Sequence, residues 1–130
     1  MQIDETNYVD RAEQAILKLK ELKTASGREI PIVTTSKIRN LLAMVSDIYN
    51  DVLNLKDEKL NKDVIGRINY MKLRFYYEAG REESVKRLLV HAKVFDLINE
   101  IGNSRNNYIL FSRYMEALVA FRKFHGGKDD

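Results

Sequence analysis

The sequence predicts an all-α fold, a compact five-helix bundle with room for one extra short helical turn. Apolar residues recur at spacings of three and four through most of the 130 residues, which is the period of an amphipathic helix. One proline and six glycines leave few points at which helices would break. The length and the 45% hydrophobic content suit one ordered core, so we expect residues 1–130 to form a single helical domain.

The first predicted helix runs from about Asn7 to Lys23 and precedes a loop over residues 24–33. Its apolar side is expected at Val9, Ala12, Ile16 and Leu19. The loop contains Gly27 and Pro31, which are the residues that most often interrupt regular structure.

The second helix is expected to begin near Thr34 or Thr35, because either side chain can accept a hydrogen bond from the first unpaired N–H groups. Its apolar stripe comprises Ile38, Leu41, Leu42, Val45, Ile48, Tyr49 and Val52. The third predicted helix covers residues 62–79, and we expect Gly80 to end it in a left-handed conformation. The apolar side of this helix comprises Val64, Ile65, Ile68, Met71, Phe75 and Ala79.

The fourth predicted helix spans residues 82–101, and Gly102 follows it. Ser104 is the expected cap of a fifth helix that reaches about Phe124. Two glycines then follow, and we expect residues 126–130 to be a flexible C-terminal tail.

The fifth predicted helix is apolar on two sides. One row contains Phe111, Met115 and Leu118, and the other contains Leu110, Tyr114, Ala117, Phe121 and Phe124. A helix with this pattern either lies at the centre of a bundle or presents its second row to another chain. Tyr114 and Phe121 are therefore candidate self-association residues.

Composition excludes several classes of protein. The absence of cysteine excludes disulfides, thiol nucleophiles and thiolate metal sites, and it fits a reducing compartment. No segment approaches the roughly 18 apolar residues of a membrane span, and the first residues do not form the apolar run of a signal peptide. We expect a cytoplasmic protein with no membrane partner.

Neither histidine predicts catalysis. His91 lies four residues after Arg87, so the two share one side of a helix, but helical ribonucleases that combine Arg and His usually space them more widely. His125 is interpreted as a charge at the end of the last helix. No metal-ligand spacing and no phosphate-binding glycine loop occurs. We predict a non-enzyme with no catalytic residue, no metal and no cofactor, and a ribonuclease using Arg87 and His91 is the alternative.

The basic charge of the chain is concentrated in residues 67–93, which hold seven Lys or Arg against three Glu. Three arginines and two tyrosines recur there at regular intervals: Arg67, Tyr70, Arg74, Tyr77 and Arg81. Guanidinium groups suit phosphate and phenol rings stack on bases, although a solvated helix face has the same pattern. Since no base-reading motif accompanies the stripe, a nucleic acid would be contacted through its backbone.

Four phrases of the sequence resemble the small subunit of the type III-A CRISPR effector, the Csm complex. They are TNYVDRAEQAI near the start, TTSKIRNLL at 34–42, YYEAGRE at 76–82 and RYMEALVAFRKFHGGKD at 113–129. The resemblance implies a non-catalytic helical bundle that stacks head to tail in several copies along the guide RNA–target RNA duplex. It implies contact mainly with the target strand's backbone, and partners among the backbone and large subunits of that complex.

The resemblance also suggests which cations contact RNA. Arg39 lies in TTSKIRNLL, Arg81 lies in AGRE, and Lys72 occupies a basic position just before that phrase. Further candidates are Arg67, Arg74, Lys37, Lys86, Arg113 and Lys123. For Arg113, an ion pair with Glu116 is the competing interpretation. A protein–protein adaptor that uses the fifth helix and does not contact RNA is the alternative function.

Overall fold

A computed structural model describes residues 1–127, which form six helices, and it confirms the all-α prediction. The helices are α1 (Tyr8–Glu21), α2 (Thr35–Asn54), α3 (Lys62–Arg81), α4 (Glu83–His91), α5 (Val94–Ile101) and α6 (Arg105–Phe124). The predicted loop at 24–33 lies between α1 and α2. From residue 128 onward, the predicted tail lies outside the described residues. Across residues 1–127, none of the helices combines the length and apolar character needed to cross a membrane.

Side-chain caps set the starts of three helices. The Thr34 hydroxyl accepts from the Lys37 N–H at 3.3 Å, and Asn61 and Ser104 accept in the same way from the residues three positions later. The predicted starts of α2 and α6 are therefore confirmed. On α1 the predicted apolar side is wrong at Val9, which is 43% exposed, because the core-facing side is completed by Ala15 instead.

The end of α3 differs from the prediction at Gly80. This glycine stays helical, and α3 continues through Arg81 until Glu82 adopts an extended conformation (φ −133°, ψ 113°). Glycine permits a left-handed residue but does not impose one. As a result, Arg81 lies on the same helix as Arg67 and extends the stripe.

The predicted helix over residues 82–101 is two helices, because the chain turns at Lys93. Lys93 has φ 58° and ψ 34° and is the only non-glycine residue with positive φ among residues 1–127. This left-handed conformation costs a non-glycine residue roughly 1–2 kcal/mol. Ala92 and Val94 on either side are buried, so core packing on both flanks holds the turn in place.

Helix α6 lies at the centre of the bundle and packs against α1, α2 and α5. This position explains why the helix is apolar on two sides. Tyr114 is only 3% exposed, and its hydroxyl donates to the Ala92 carbonyl at 2.9 Å. The prediction of Tyr114 as a self-association residue is therefore wrong, since the side chain belongs to the core. Phe121 is half-buried at the edge of the core, and Phe124 is exposed.

Tyr108 connects α6 to both α2 and α3. Its ring is fully buried, and its hydroxyl donates to the Val45 carbonyl at 2.9 Å and lies 3.9 Å from the Met71 sulfur. Burial raises the pKa of the Tyr108 phenol and raises that of Tyr114 to about 12. Both phenols are therefore neutral parts of the core near neutral pH.

Removing the Tyr108 hydroxyl should lower the free energy of unfolding. We expect Tyr108→Phe to cost about 1 kcal/mol, because the hydrogen bond to α2 is lost while the ring still fills its space. Urea denaturation measures the change. Tyr70→Phe is the matched control, since Tyr70 is 64% exposed and should change stability by less than about 0.5 kcal/mol. Equal effects in the two variants would contradict the anchoring role of Tyr108.

The raised phenol pKa values also predict a loss of stability in alkali. An unfolded tyrosine ionises near pH 10, whereas Tyr114 in the fold ionises at about 12. The stability that Tyr108 and Tyr114 contribute by staying neutral in the fold is complete below about pH 10. It is lost as the pH rises through the folded pKa, by up to about 1.4 kcal/mol per pH unit for each tyrosine. Urea denaturation between about pH 8 and 11 should show the fall, and Tyr114→Phe should reduce it. A flat profile in the parent chain would refute the prediction.

Candidate nucleic-acid interface

A surface groove lies between α2 and α3. Its larger part has a volume of about 640 Å³ and is bordered by Asp47 on α2 and by Arg67, Tyr70 and Arg74 on α3. A second part of about 340 Å³ is bordered by residues of α2, of the end of α3 and of α4. Met44 borders both parts, so the two recesses adjoin each other along the two helices.

Helix geometry places the three arginines of the stripe in one row along this groove. Seven residues make almost two helical turns, so Arg67, Arg74 and Arg81 recur on one side of α3 at intervals of roughly 10 Å. Tyr70 and Tyr77 lie between them, 64% and 55% exposed. The row therefore places three cations and two open aromatic rings along one side of α3.

Arg67 is bound to α2. One of its terminal nitrogens contacts the Asp51 carboxylate, and the other donates to the Asp47 carbonyl at 3.1 Å. The hydrogen bond with Asp51 raises the pKa of the Arg67 guanidinium. Arg67 thus bridges α2 and α3 within the larger part of the groove.

Glu78 is shared by the other two arginines. Its Oε1 atom lies 3.4 Å from a terminal nitrogen of Arg74 and 3.7 Å from one of Arg81. Both guanidinium groups also flank the Tyr77 ring, at 5.1 and 6.0 Å from its centre. One carboxylate and one ring therefore orient two cations.

Lys37 and Glu82 join α2 to the junction of α3 and α4. The Lys37 ammonium lies 2.6 Å from the Glu82 carboxylate, and both side chains are about one-third exposed. Lys37 and Arg81 border the same part of the groove although they are far apart in sequence.

The charges that border the groove nearly cancel, whereas residues 67–93, which supply most of its cations, carry an excess of positive charge. The residues that border it include five cations, Lys37, Lys62, Arg67, Arg74 and Arg81. They also include four carboxylates, Asp47, Asp63, Glu78 and Glu82. Of the carboxylates, Asp47 comes from α2 and Asp63 from the first turn of α3, both outside residues 67–93. A count of charges over residues 67–93 therefore misses these two carboxylates. Only the packing of α2 against α3 brings Asp47 and Asp51 to Arg67.

The other predicted RNA-binding residues do not border this groove. Arg39 is exposed on α2 two residues beyond Lys37, which places it about 200° around the helix. Lys72 donates to the Asn99 side chain at 2.6 Å, on the side of α3 that faces α5. Lys86 is exposed on α4 four residues after Glu82, and Arg113 and Lys123 are exposed on α6.

Arg87, the partner of His91 in the ribonuclease alternative, is half-buried on α4. His91 is exposed, and the described residues contain no group of three or more histidines and carboxylates that could hold a metal. The ring of His125 lies 2.8 Å from the Glu13 carboxylate, which joins the end of α6 to α1.

Comparison with known proteins identifies similar chains. Residues 8–128 match a family model described as Csm2 Type III-A. A protein from Streptococcus thermophilus named CRISPR system Cms protein Csm2 is 42% identical over 127 residues and 98% of both chains. Proteins with the same name are 33% identical in Mycobacterium tuberculosis (strain CDC 1551 / Oshkosh), over 99% of both chains, and in Enterococcus italicus, over 88% of this chain and 86% of the relative.

The geometry predicts that Glu78 weakens anion binding in the groove. Glu78→Gln removes a carboxylate from between two guanidinium groups, and it should tighten binding of mixed-sequence single-stranded RNA about five-fold. This corresponds to about 1 kcal/mol, the Coulomb energy of two charges about 4 Å apart in water. Fluorescence anisotropy at low salt measures the affinity. Glu116→Gln, at an exposed position of α6, is the control with the same charge change, and an equal gain there would contradict a local effect.

Proposed function

Because the chain belongs to the Csm2 Type III-A family, we propose that it acts within a type III-A CRISPR complex as the non-catalytic small subunit that contacts the target RNA. Several copies stack head to tail along the guide RNA–target RNA duplex, beside the backbone and large subunits. The cysteine-free composition is compatible with a cytoplasmic assembly of this kind.

The observation that carries the RNA contact is the convergence of Lys37, Arg74 and Arg81, together with Arg67, on one groove. Phosphate oxygens are the acceptors that guanidinium groups contact with two parallel hydrogen bonds. Contacts of this kind position a strand without reading its sequence, which suits a subunit that must accept any target.

The carboxylate pairing in the groove favours weak binding by each copy. A phosphate that approaches Arg74 or Arg81 has to replace Glu78, and one that approaches Lys37 has to replace Glu82. The gain from each contact is then a difference between two charge-assisted hydrogen bonds. Several stacked copies raise the overall affinity because every further contact is intramolecular.

A second candidate function, a protein–protein adaptor, is favoured by a recess on another face. It has a volume of about 410 Å³ and is bordered by Tyr8, Val9, Tyr49 and Phe121 of α1, α2 and α6. A head-to-tail stack requires two different complementary patches, and this recess is the one we assign to Phe121. An adaptor would use the same recess without any RNA contact.

Substitutions in the groove should separate these functions. We expect Arg67→Gln with Arg81→Gln to weaken binding of single-stranded RNA roughly 25-fold at ~0.1 M salt, since each lost phosphate contact costs about five-fold under those conditions. Filter binding across a salt series and several unrelated RNAs measures the affinity. Circular dichroism verifies that the bundle is still folded.

Lys20→Gln with Lys56→Gln is the control pair, because it removes the same charge at exposed positions that do not border the groove. If both double variants lose the same amount of RNA affinity, the groove is not the RNA-binding surface. If the parent chain does not bind RNA but still assembles with its protein partners, the adaptor function is favoured. A strong preference for one RNA sequence would contradict backbone contact.

A further inference from the structure

A small basic cleft lies between α1 and the turn that joins α4 to α5. Its volume is about 90 Å³, and its polar border comprises Gln2, Arg11, Gln14, Lys18, His91, Lys93 and Tyr114. Arg11, Gln14 and Lys18 follow one another at spacings of three and four, so they share one side of α1. No residue of this cleft borders the groove between α2 and α3.

The cleft is more basic than the groove. Arg11, Lys18 and Lys93 are exposed, and His91 adds an imidazole. Within residues 1–127, no aspartate or glutamate borders the cleft, whereas four border the groove. Lys18 and Lys93 have no bordering carboxylate, and Asp4 offsets the charge of Arg11 only from outside the border, so the cleft favours an anion.

Two carboxylates lie close to the cleft without bordering it. Gln2 donates to both oxygens of Glu100, from its backbone N–H at 2.8 Å and from its side chain at 3.1 Å. Asp4 accepts from the backbone N–H and hydroxyl of Thr6 and from the Asn7 N–H. Neither acid borders the cleft, but the hydrogen bonds from Thr6 and, to a smaller extent, the charge of Arg11 lower the pKa of the Asp4 carboxyl.

Lys93 supplies an independent observation. It occupies the left-handed turn, where glycine fits without strain and where an L side chain rarely occurs. Backbone strain of this kind clusters at functional sites. A lysine at this place puts a long cationic side chain at the mouth of the cleft, which glycine would not provide.

We propose that this cleft binds a phosphodiester group of an RNA strand. Its volume of about 90 Å³ is small beside the 640 and 340 Å³ of the two parts of the groove, which suits a compact anion such as one phosphate group. The bordering side chains supply ammonium, guanidinium and imidazole donors, and all of these hydrogen-bond to phosphate oxygens. The choice of RNA as the source of the phosphate rests on the proposed function.

The test is a titration of the isotopically labelled full chain with mixed-sequence single-stranded RNA, followed by amide NMR shifts. We expect saturable shifts at Arg11, Lys18 and Lys93. Inorganic phosphate at the same phosphate concentration is the second arm, and we expect no saturation there. Saturation by inorganic phosphate without a response to RNA would overturn the assignment to RNA.

The contribution of the cleft is measured in Arg11→Gln with Lys18→Gln. The slope of log affinity against log salt should fall in magnitude by about 0.7 for each lost contact with single-stranded RNA. Lys20→Gln with Lys56→Gln removes the same charge at exposed positions that do not border the cleft. If the salt dependence of RNA affinity is the same in both double variants, the proposal is overturned.

The groove variants distinguish this proposal from the proposed function. If the groove pair weakens RNA binding and the cleft pair does not, the cleft assignment fails and the proposed function stands. If only the cleft pair weakens binding, the cleft assignment stands and the groove loses its role. If neither pair of substitutions changes RNA binding, both the cleft assignment and the proposed role of the groove fail.

Lys93→Gly tests the strained residue without adding strain. Glycine relieves the left-handed conformation, so we expect a Tm no lower than that of the parent chain. RNA affinity should nevertheless fall about five-fold at ~0.1 M salt, the effect of one lost phosphate contact. Unchanged affinity in the folded variant would overturn the role of Lys93.

Discussion

The structure depends on the burial of α6 at the centre of the bundle. Tyr108 is the clearest expression of this constraint, since one fully buried side chain hydrogen-bonds α2 and touches α3. By fixing the relative positions of α2 and α3, the packing of α6 also fixes the width of the groove between them. The relative position of the two helices is therefore set from inside the bundle by Tyr108 and at the surface by the contacts of Arg67 and Lys37.

Electrostatic pairing gives the groove its chemical character. A strip of free arginines would bind any polyanion and would repel itself in the absence of one. Here Asp51, Glu78 and Glu82 hold the cations in place, so the charges are oriented before a strand arrives and self-repulsion is reduced. The cleft beside Lys93 lacks bordering carboxylates, and the two surfaces therefore differ in how strongly each attracts a phosphate.

Sequence reasoning succeeded where the determining interactions are local. The caps at Thr34 and Ser104 and the apolar periods of α2, α3 and α6 are short-range features, and the structure has them. The break at Lys93 could not be predicted, because no glycine or proline marks it and only packing on both flanks imposes it. The partners of Arg67 were equally inaccessible, since they depend on how α2 lies against α3.

Glu78 has a consequence that extends beyond its own contacts. Because one carboxylate oxygen serves both Arg74 and Arg81, a phosphate that captures one guanidinium releases the carboxylate to the other. Neighbouring positions along the strand are then energetically coupled, and the sign of that coupling is negative: the first contact strengthens the internal ion pair that the second must break. A strand in the proposed groove would accordingly attach in unequal steps, with one firm contact and one that is easily released.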